Sequence, residues 1–257
     1  MSETMSHASN TGTSCTPTSC VPGSLEAIPH PRISAAPSAR PHRFRSRIGV
    51  GLAGGFYPAP HRYELYLSAR CPLSLRVSIT LGLLGLRDSV ATTLVALPAD
   101  TPTAFAALRG AYEATWHHYD GPLTAPALCD RWSGRVVSNH TPDILRDLGD
   151  LLTDGAGSHN SPLRPPELAA DVDDLRDLLD RELTPGTPSA VRSAALDLLN
   201  RQLAAGPYAL GKDLTAADVD LWVALVQLEA TDDLSAYPLL QDYVRRLDAH
   251  PAFHRSL

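Results

Sequence analysis

Tyr63, Leu65 and Leu67 alternate with Glu64, Tyr66 and Ser68. Such alternation predicts a β-strand with one buried face. After a short turn and Cys71, Pro72 suits the first position of a helix, where its missing N–H costs nothing. Leu75, Ile79, Leu83 and Leu86 then recur at helical spacing, predicting a helix over 73–86. A second strand is expected over 91–97, closed by Pro98, followed by a helical or irregular stretch to Trp116. Residues 124–130 predict a third strand, entered through Pro126. A turn at Ser133 and Gly134 leads to a hairpin partner over 135–138. Thr141 is placed to cap a further helix, with Pro142 at its first position and Ile144, Leu145, Leu148 and Leu151 along it. The order is β-α-β-α-β-β-α, with a cysteine at the first strand–helix junction and a proline entering the third strand. That order predicts a thioredoxin-like fold.

Beyond a Gly, Ser, Asn and Pro-rich stretch at 154–166, the pattern is helical throughout. Leu168, Val172, Leu175, Leu178 and Leu179 mark one helix. Val191, Ala195, Leu198 and Leu199 mark a second, over 189–203. A break at 206–211 follows, and then Thr215-Ala216-Ala217-Asp218 forms a capping box in which Thr215 accepts from the Asp218 N–H and the Asp218 carboxylate from the Thr215 N–H. Leu214 and Val219 stand at the positions of a hydrophobic staple. This helix runs through Leu221, Trp222, Leu225, Val226 and Leu228, and a last one spans about 239–249. The expected organisation is an irregular or disordered tail at 1–60, a thioredoxin-like unit at 61–153, a linker at 154–166 and an all-helical unit at 167–257.

Composition narrows the function. The net charge of −6 leaves no electrostatic footprint for nucleic acid or an anionic membrane. No apolar run approaches the ~20 residues that span a bilayer. Cys15, Cys20, Cys71 and Cys129 have neither metal-ligand nor disulfide-scaffold spacing, which points to a reducing cytoplasm and no metal. Residues 1–40 are rich in Ser, Thr, Pro and Ala and lack the features of a secretory signal. Arg40, His42, Arg43, Arg45 and Arg47 continue them as a basic patch, assigned to a solvated tail. The glycine string near Gly49 has no strand before it or helix after it and is not a nucleotide loop. His117 and His118, adjacent and without a third ligand, read as a surface loop.

Cys71 carries the chemistry. At a helix N-terminus, unpaired N–H groups and the positive dipole end favour a thiolate, so the thiol is expected below its free value of about 8.5. Arg70 and Arg76 are expected to add positive charge. Opposite it, the Pro126 loop is expected to present backbone groups to a peptide-like thiol, as an added strand would be received.

From about residue 60 to 252 the order of elements, with Leu214-Thr215-Ala216-Ala217-Asp218 opening the third helix of the helical unit, resembles the glutathione transferases. The segments Arg62 to Arg76, Tyr119 to Asp130 and Val136 to Thr141 resemble the cysteine-type xi class, the glutathionyl-hydroquinone reductases. The resemblance implies that Cys71 attacks the sulfur of a thioether or mixed disulfide on a small substrate, forming a mixed disulfide that a second thiol resolves. It further implies that Ala125, before a cis Pro126, holds the cysteinyl part of the thiol, and that Thr141 holds a carboxylate. A homodimer is implied as well. The chain departs from the family where a Glu-Ser pair becomes His140-Thr141, where the tryptophan after Cys-Pro becomes Leu73, and where the segment between Glu229 and Tyr237 is short. Glutathione, or another thiol such as mycothiol, is thus the expected co-substrate, with Leu73, Ala125, Pro126, His140 and Thr141 lining its site. Two alternatives stand beside this: an inactive transferase-like scaffold, and a conjugating or isomerising transferase in which Ser68 or Ser74 supplies a hydroxyl.

Overall fold

In the computed structural model, Tyr63 and Leu65 are completely buried, and they begin the strand that centres the architecture. Residues 43–49, 55–69, 71–95, 102–151, 163–184, 186–229, 234–255 and 257 are described. Cys15, Cys20, Arg40, His42, Arg70, residues 96–98, most of the 154–166 stretch and much of the glycine string lie outside them.

The elements run β1 (Tyr63–Leu67), α1 (Pro72–Leu83), β2 (Ala91–Leu94), α2 (Pro102–Thr115), β3 (Ala127–Asp130), β4 (Arg135–Ser138) and α3 (Thr141–Leu151). A short 3-10 turn, Pro166–Leu168, leads into α4 (Ala169–Glu182), α5 (Ser189–Gln202), α6 (Ala216–Glu229) and α7 (Pro238–Asp248). The four strands form one mixed sheet in the order β2-β1-β3-β4. β1 runs parallel to β2, with Leu65 opposite Thr92, and antiparallel to β3, with Leu65 opposite Leu128. This is the thioredoxin-like order the periodicity predicts, followed by an all-helical half.

One departure concerns β1. Alternation predicts a single buried face, yet Tyr66 on the other face is only 6% exposed. Tyr63, Leu65 and Leu67 pack with Val77, Leu81, Ile144 and Leu148 from α1 and α3. Tyr66 joins Val95, Leu108, Tyr112 and Val136 beneath α2. A sheet covered by helices on both faces buries both sides of its inner strands.

The sequence extends α1 to Leu86, but the helix stops three residues sooner. Gly85 takes a positive φ of 68°, and the N–H groups of Leu86 and Gly85 donate to the carbonyls of Leu81 and Gly82. This is a Schellman ending, and Leu86 folds back into the core against Leu81. Within α1, Val77 and Leu81 belong to the sheet's core, whereas Leu75 and Ile79 belong to the helical one. At the centre of the helical core lies α6, ten of whose residues are buried. A helix apolar on all sides is one that other helices surround. On α5 the expected face is rotated: Ala195, Leu196 and Leu199 are buried, while Val191 and Leu198 are 44% and 46% exposed.

Residues 43–49, assigned by composition to a solvated tail, are irregular but packed. Phe44 and Ile48 are buried, Arg45 bridges to Ser138 beside β4, and Arg45 and Arg47 pair with Asp143 and Asp147 of α3.

At the far end of β1, Arg62 donates to both carboxylate oxygens of Asp130 at 2.7 and 2.9 Å, and both side chains are buried. Burial pushes the Asp130 carboxyl up. The Arg62 guanidinium, the Ser133 hydroxyl and the Trp132 N–H outweigh this and hold it below the usual carboxylate range. A carboxylate lowered on folding contributes stability above its unfolded value of about 3.9 and loses it as pH falls through the folded one. Acid titration of the unfolding free energy should therefore show a steeper loss below about pH 4 in the wild type than in Asp130→Asn. Equal slopes would show that Arg62 gives the carboxylate no such preference.

Candidate functional site

Where β1 ends, two hydrogen bonds close the turn to α1. The Cys71 N–H donates to the Ser68 carbonyl at 3.1 Å, and the Ser68 N–H donates to Ser74 Oγ at 3.0 Å. Cys71 takes the N-cap position with extended backbone, Pro72 follows as the first helical residue, and the Leu75 N–H closes the first turn on the Cys71 carbonyl at 3.0 Å. The thiol is thus set at the N-terminus of a helix whose other end is fixed in two cores. Cys71 is partly exposed, and its Sγ lies 3.6 Å from the Ala125 carbonyl oxygen. Ser74 is fully buried and committed to the turn, which weighs against the expectation that its hydroxyl serves a bound thiol.

The Ala125–Pro126 peptide is cis. Leu73, Thr124, Ala125, Pro126, His140 and Thr141 line one cleft of about 400 Å³, with Arg43, Arg76, Arg176 and Asp180 around it. The five expected thiol-site residues therefore share one cleft, and Cys71 reaches its wall through Ala125. Leu73 is 40% exposed there, an apolar flank on the α1 side.

At the start of α3 the sequence expectation needs correcting. The N–H groups of Asp143 and Ile144 donate to the His140 carbonyl, so His140 is the cap, Thr141 the first helical residue and Pro142 the second. The His140 N–H donates to Ser138 Oγ at 3.1 Å. Its Nδ1 stands 3.1 Å from Asp143 Oδ2, at ion-pair distance but off the direction of a hydrogen bond. Burial raises the Asp143 carboxyl, and Arg45 and His140 together bring it below its ordinary value.

Arg76, expected to add positive charge near Cys71, is buried and neutralised. It pairs with Asp180 of α4 at 3.0 Å and with Asp220 of α6 at 3.3 Å, and Arg176 of α4 meets the same Asp220 at 2.9 Å. These ion pairs tie the helix that follows Cys71 to the helical half.

Sequence reasoning missed several supporting residues. Asn139 Nδ2 donates to Tyr112 OH and Thr124 Oγ1 at 3.1 and 3.2 Å, and Tyr112 OH lies 2.8 Å from Thr124 Oγ1, so α2 fixes the loop that carries Ala125. Among the missed groups, Arg176 has a local partner that spacing could suggest, Asp173 three residues before it at 3.3 Å. His117 and His118 sit exposed in a turn, as expected of a loop, and among the described residues no group of three or more His, Cys, Asp or Glu side chains is placed to hold a metal ion. Nor is any described helix long and apolar enough to cross a membrane. Burial pushes the Cys129 thiol far up, which leaves it inert within the sheet.

Residues 192–246 match the family model of the glutathione S-transferase C-terminal domain. The xi glutathione S-transferase of Phanerochaete chrysosporium superposes with a TM-score of 0.67 at 25% identity, covering 83% of this chain and 87% of that one. The chain is related to the glutathione transferases and resembles their xi class. The glutathionyl-hydroquinone reductase PcpF of Sphingobium chlorophenolicum is 27% identical over 247 residues, covering 81% of this chain and 78% of that protein. YqjG of Escherichia coli, also a glutathionyl-hydroquinone reductase, is 26% identical over 206 residues, and this chain spans 62% of its length. The glutathione-bound structure of YqjG has the same fold, with a TM-score of 0.68 at 24% identity over 82% of this chain and 83% of that one. In this fold Cys71 stands at the junction of first strand and first helix, with the Pro126 loop opposite it.

Proposed function

We propose that the protein is a cysteine-dependent thiol transferase or reductase that removes a low-molecular-weight thiol of the glutathione type from a small conjugate. The observation that carries this reading is the partly exposed Cys71 sulfur at a helix N-terminus, 3.6 Å from the Ala125 carbonyl beside a cleft of about 400 Å³. The names of PcpF and YqjG support the substrate class, a glutathionylated hydroquinone.

In the first step the Cys71 thiolate attacks the sulfur of the conjugate. An S–S bond forms, the C–S bond breaks, and its electron pair stays on the substrate carbon, which takes a proton. With a mixed disulfide as substrate, the leaving group is a thiolate instead. A second thiol then attacks the disulfide on Cys71, releasing a symmetrical disulfide and restoring the thiolate. With a thioether conjugate the substrate carbon gains two electrons, one from the sulfur that leaves it and one from the resolving thiol, and the two sulfurs depart joined as the disulfide. The α3 N-terminus at His140 and Thr141 favours a carboxylate of the bound thiol.

Intact-mass spectrometry tests the sequence of steps. Incubating the protein with a glutathionyl-hydroquinone, without free thiol, should leave one glutathione on Cys71 and release one equivalent of hydroquinone. Added thiol should then discharge the adduct. Hydroquinone release without any adduct would overturn the mixed-disulfide route.

A further inference from the structure

The charges around the cleft are unevenly satisfied. Arg76 and Arg176 share the buried carboxylate of Asp220, and Asp180, the cleft's one carboxylate among the described residues, already accepts from Arg76 at 3.0 Å. Arg43 forms no ion pair among the described residues, although Arg45 and Arg47 beside it are both paired. Arg43 is exposed, but the chain that carries it is fixed. The next residue, Phe44, donates its N–H to Asn139 Oδ1 at 2.8 Å and accepts from the Asn139 N–H at 3.2 Å and from Ser138 Oγ at 3.2 Å. Its ring packs edge-on against Tyr112 with centroids 5.4 Å apart. The same Asn139 side chain holds Thr124, next to Ala125. An arginine with no ion pair among the described residues therefore lines the cleft, on a chain fixed by the network that builds the thiol-facing wall.

We infer that Arg43 is a specificity-determining residue for the thiol co-substrate, selecting a thiol that carries a carboxylate remote from its sulfur and does not depend on an ammonium group there. This rests on the thiol-transfer reading above. A guanidinium pairs with a carboxylate through charge-assisted, often bidentate hydrogen bonds. An ammonium entering the cleft would meet Arg43, His140 and a carboxylate already engaged by Arg76.

The test uses the full chain with Cys71 preloaded as the mixed disulfide of 2-mercaptoethanol. Its discharge is followed as a function of concentration for glutathione, for glutathione lacking its amino group, and for the neutral thiol N-acetylcysteine amide. Deaminated glutathione should saturate the wild type at a concentration equal to or below that needed for glutathione. In Arg43→Ala, the preference for either carboxylate-bearing thiol over the neutral one, taken as a ratio of kcat/KM, should fall about tenfold, chiefly through KM. Arg43→Lys should recover part of that preference, since it returns the charge without the fork. A clear preference for glutathione over its deaminated form, or an unchanged ratio in Arg43→Ala, overturns the assignment and leaves the chemistry at Cys71 intact. Failure of all three thiols to discharge wild-type Cys71 overturns the parent reading, and this one with it.

Discussion

Cys71→Ser should lower the rate of thiol removal from a conjugate by ~10³-fold or more while leaving the melting temperature where it was. Serine is nearly isosteric, and the turn that holds position 71 is built from backbone groups and Ser74, so the fold has no reason to change. What is lost is the polarisable sulfur, the one thiol beside the cleft among the described residues. An alkoxide is far harder to generate near neutral pH than a thiolate and makes no stable bond to a substrate sulfur. The buried Cys129 cannot substitute, since it lies within the sheet with its thiol pushed up by burial. Steady-state rates with a hydroquinone conjugate and with a small mixed disulfide, read beside a thermal melt, check this. Wild-type rates in Cys71→Ser would move the reaction to a bound thiol activated by some other group.

Asp218→Ala is the substitution expected to cost the fold most. The carboxylate is fully buried and accepts four hydrogen bonds, from the N–H groups of Ala209 and Thr215, from Tyr243 OH and from Thr215 Oγ1. It joins the start of α6 to the preceding turn and to α7. Truncation leaves two buried backbone donors without partners, at about 1–3 kcal/mol for each unsatisfied group, and leaves the Tyr243 phenol only the Asp218 carbonyl at 3.3 Å. Relaxation recovers some of that, so the expected loss is about 3–5 kcal/mol, much of the stability of an ordinary domain. Asp218→Asn keeps an acceptor oxygen and should lose less. Denaturant unfolding followed through Trp222, buried on the same helix, reads the difference. A loss below about 1 kcal/mol in Asp218→Ala would mean an ordinary N-cap and no more.

The capping box shows what a local pattern can and cannot say. Thr215 three residues before Asp218 marks the helix start, and half of the reciprocal geometry is present: the Asp218 carboxylate accepts the Thr215 N–H. The Asp218 N–H, however, donates to the Thr215 backbone carbonyl, and the Thr215 hydroxyl turns to donate to the carboxylate. Ala209 and Tyr243 reach the same carboxylate from 9 and 25 residues away, beyond any local motif. The candidate site divides in the same way. The Cys71–Pro72 junction and the Pro126 loop are legible because strand alternation and proline chemistry act over a few residues. The docking of residues 43–49 is not, because Arg45 reaches Asp143 across 98 positions and its basic, Pro-flanked composition resembles that of a tail. Arg76 misleads for a related reason. Its charge is evident from the sequence, whereas Asp180 and Asp220, which neutralise it, come from the other half of the chain.

The division of α1 between two cores limits how this chain can be taken apart. Leu75 and Ile79 face the helical core, and Val77 and Leu81 face the sheet's. A cut before α4 would carry Leu75 and Ile79 into water, at about 1.5–3 kcal/mol for each fully buried side chain. It would also strand Arg76 without both of its carboxylates. No seam in the described chain leaves Cys71 on a self-sufficient piece, so the Cys71–Pro72 junction is not a portable module: grafting it onto another scaffold means taking α4 and α6 along with the sheet.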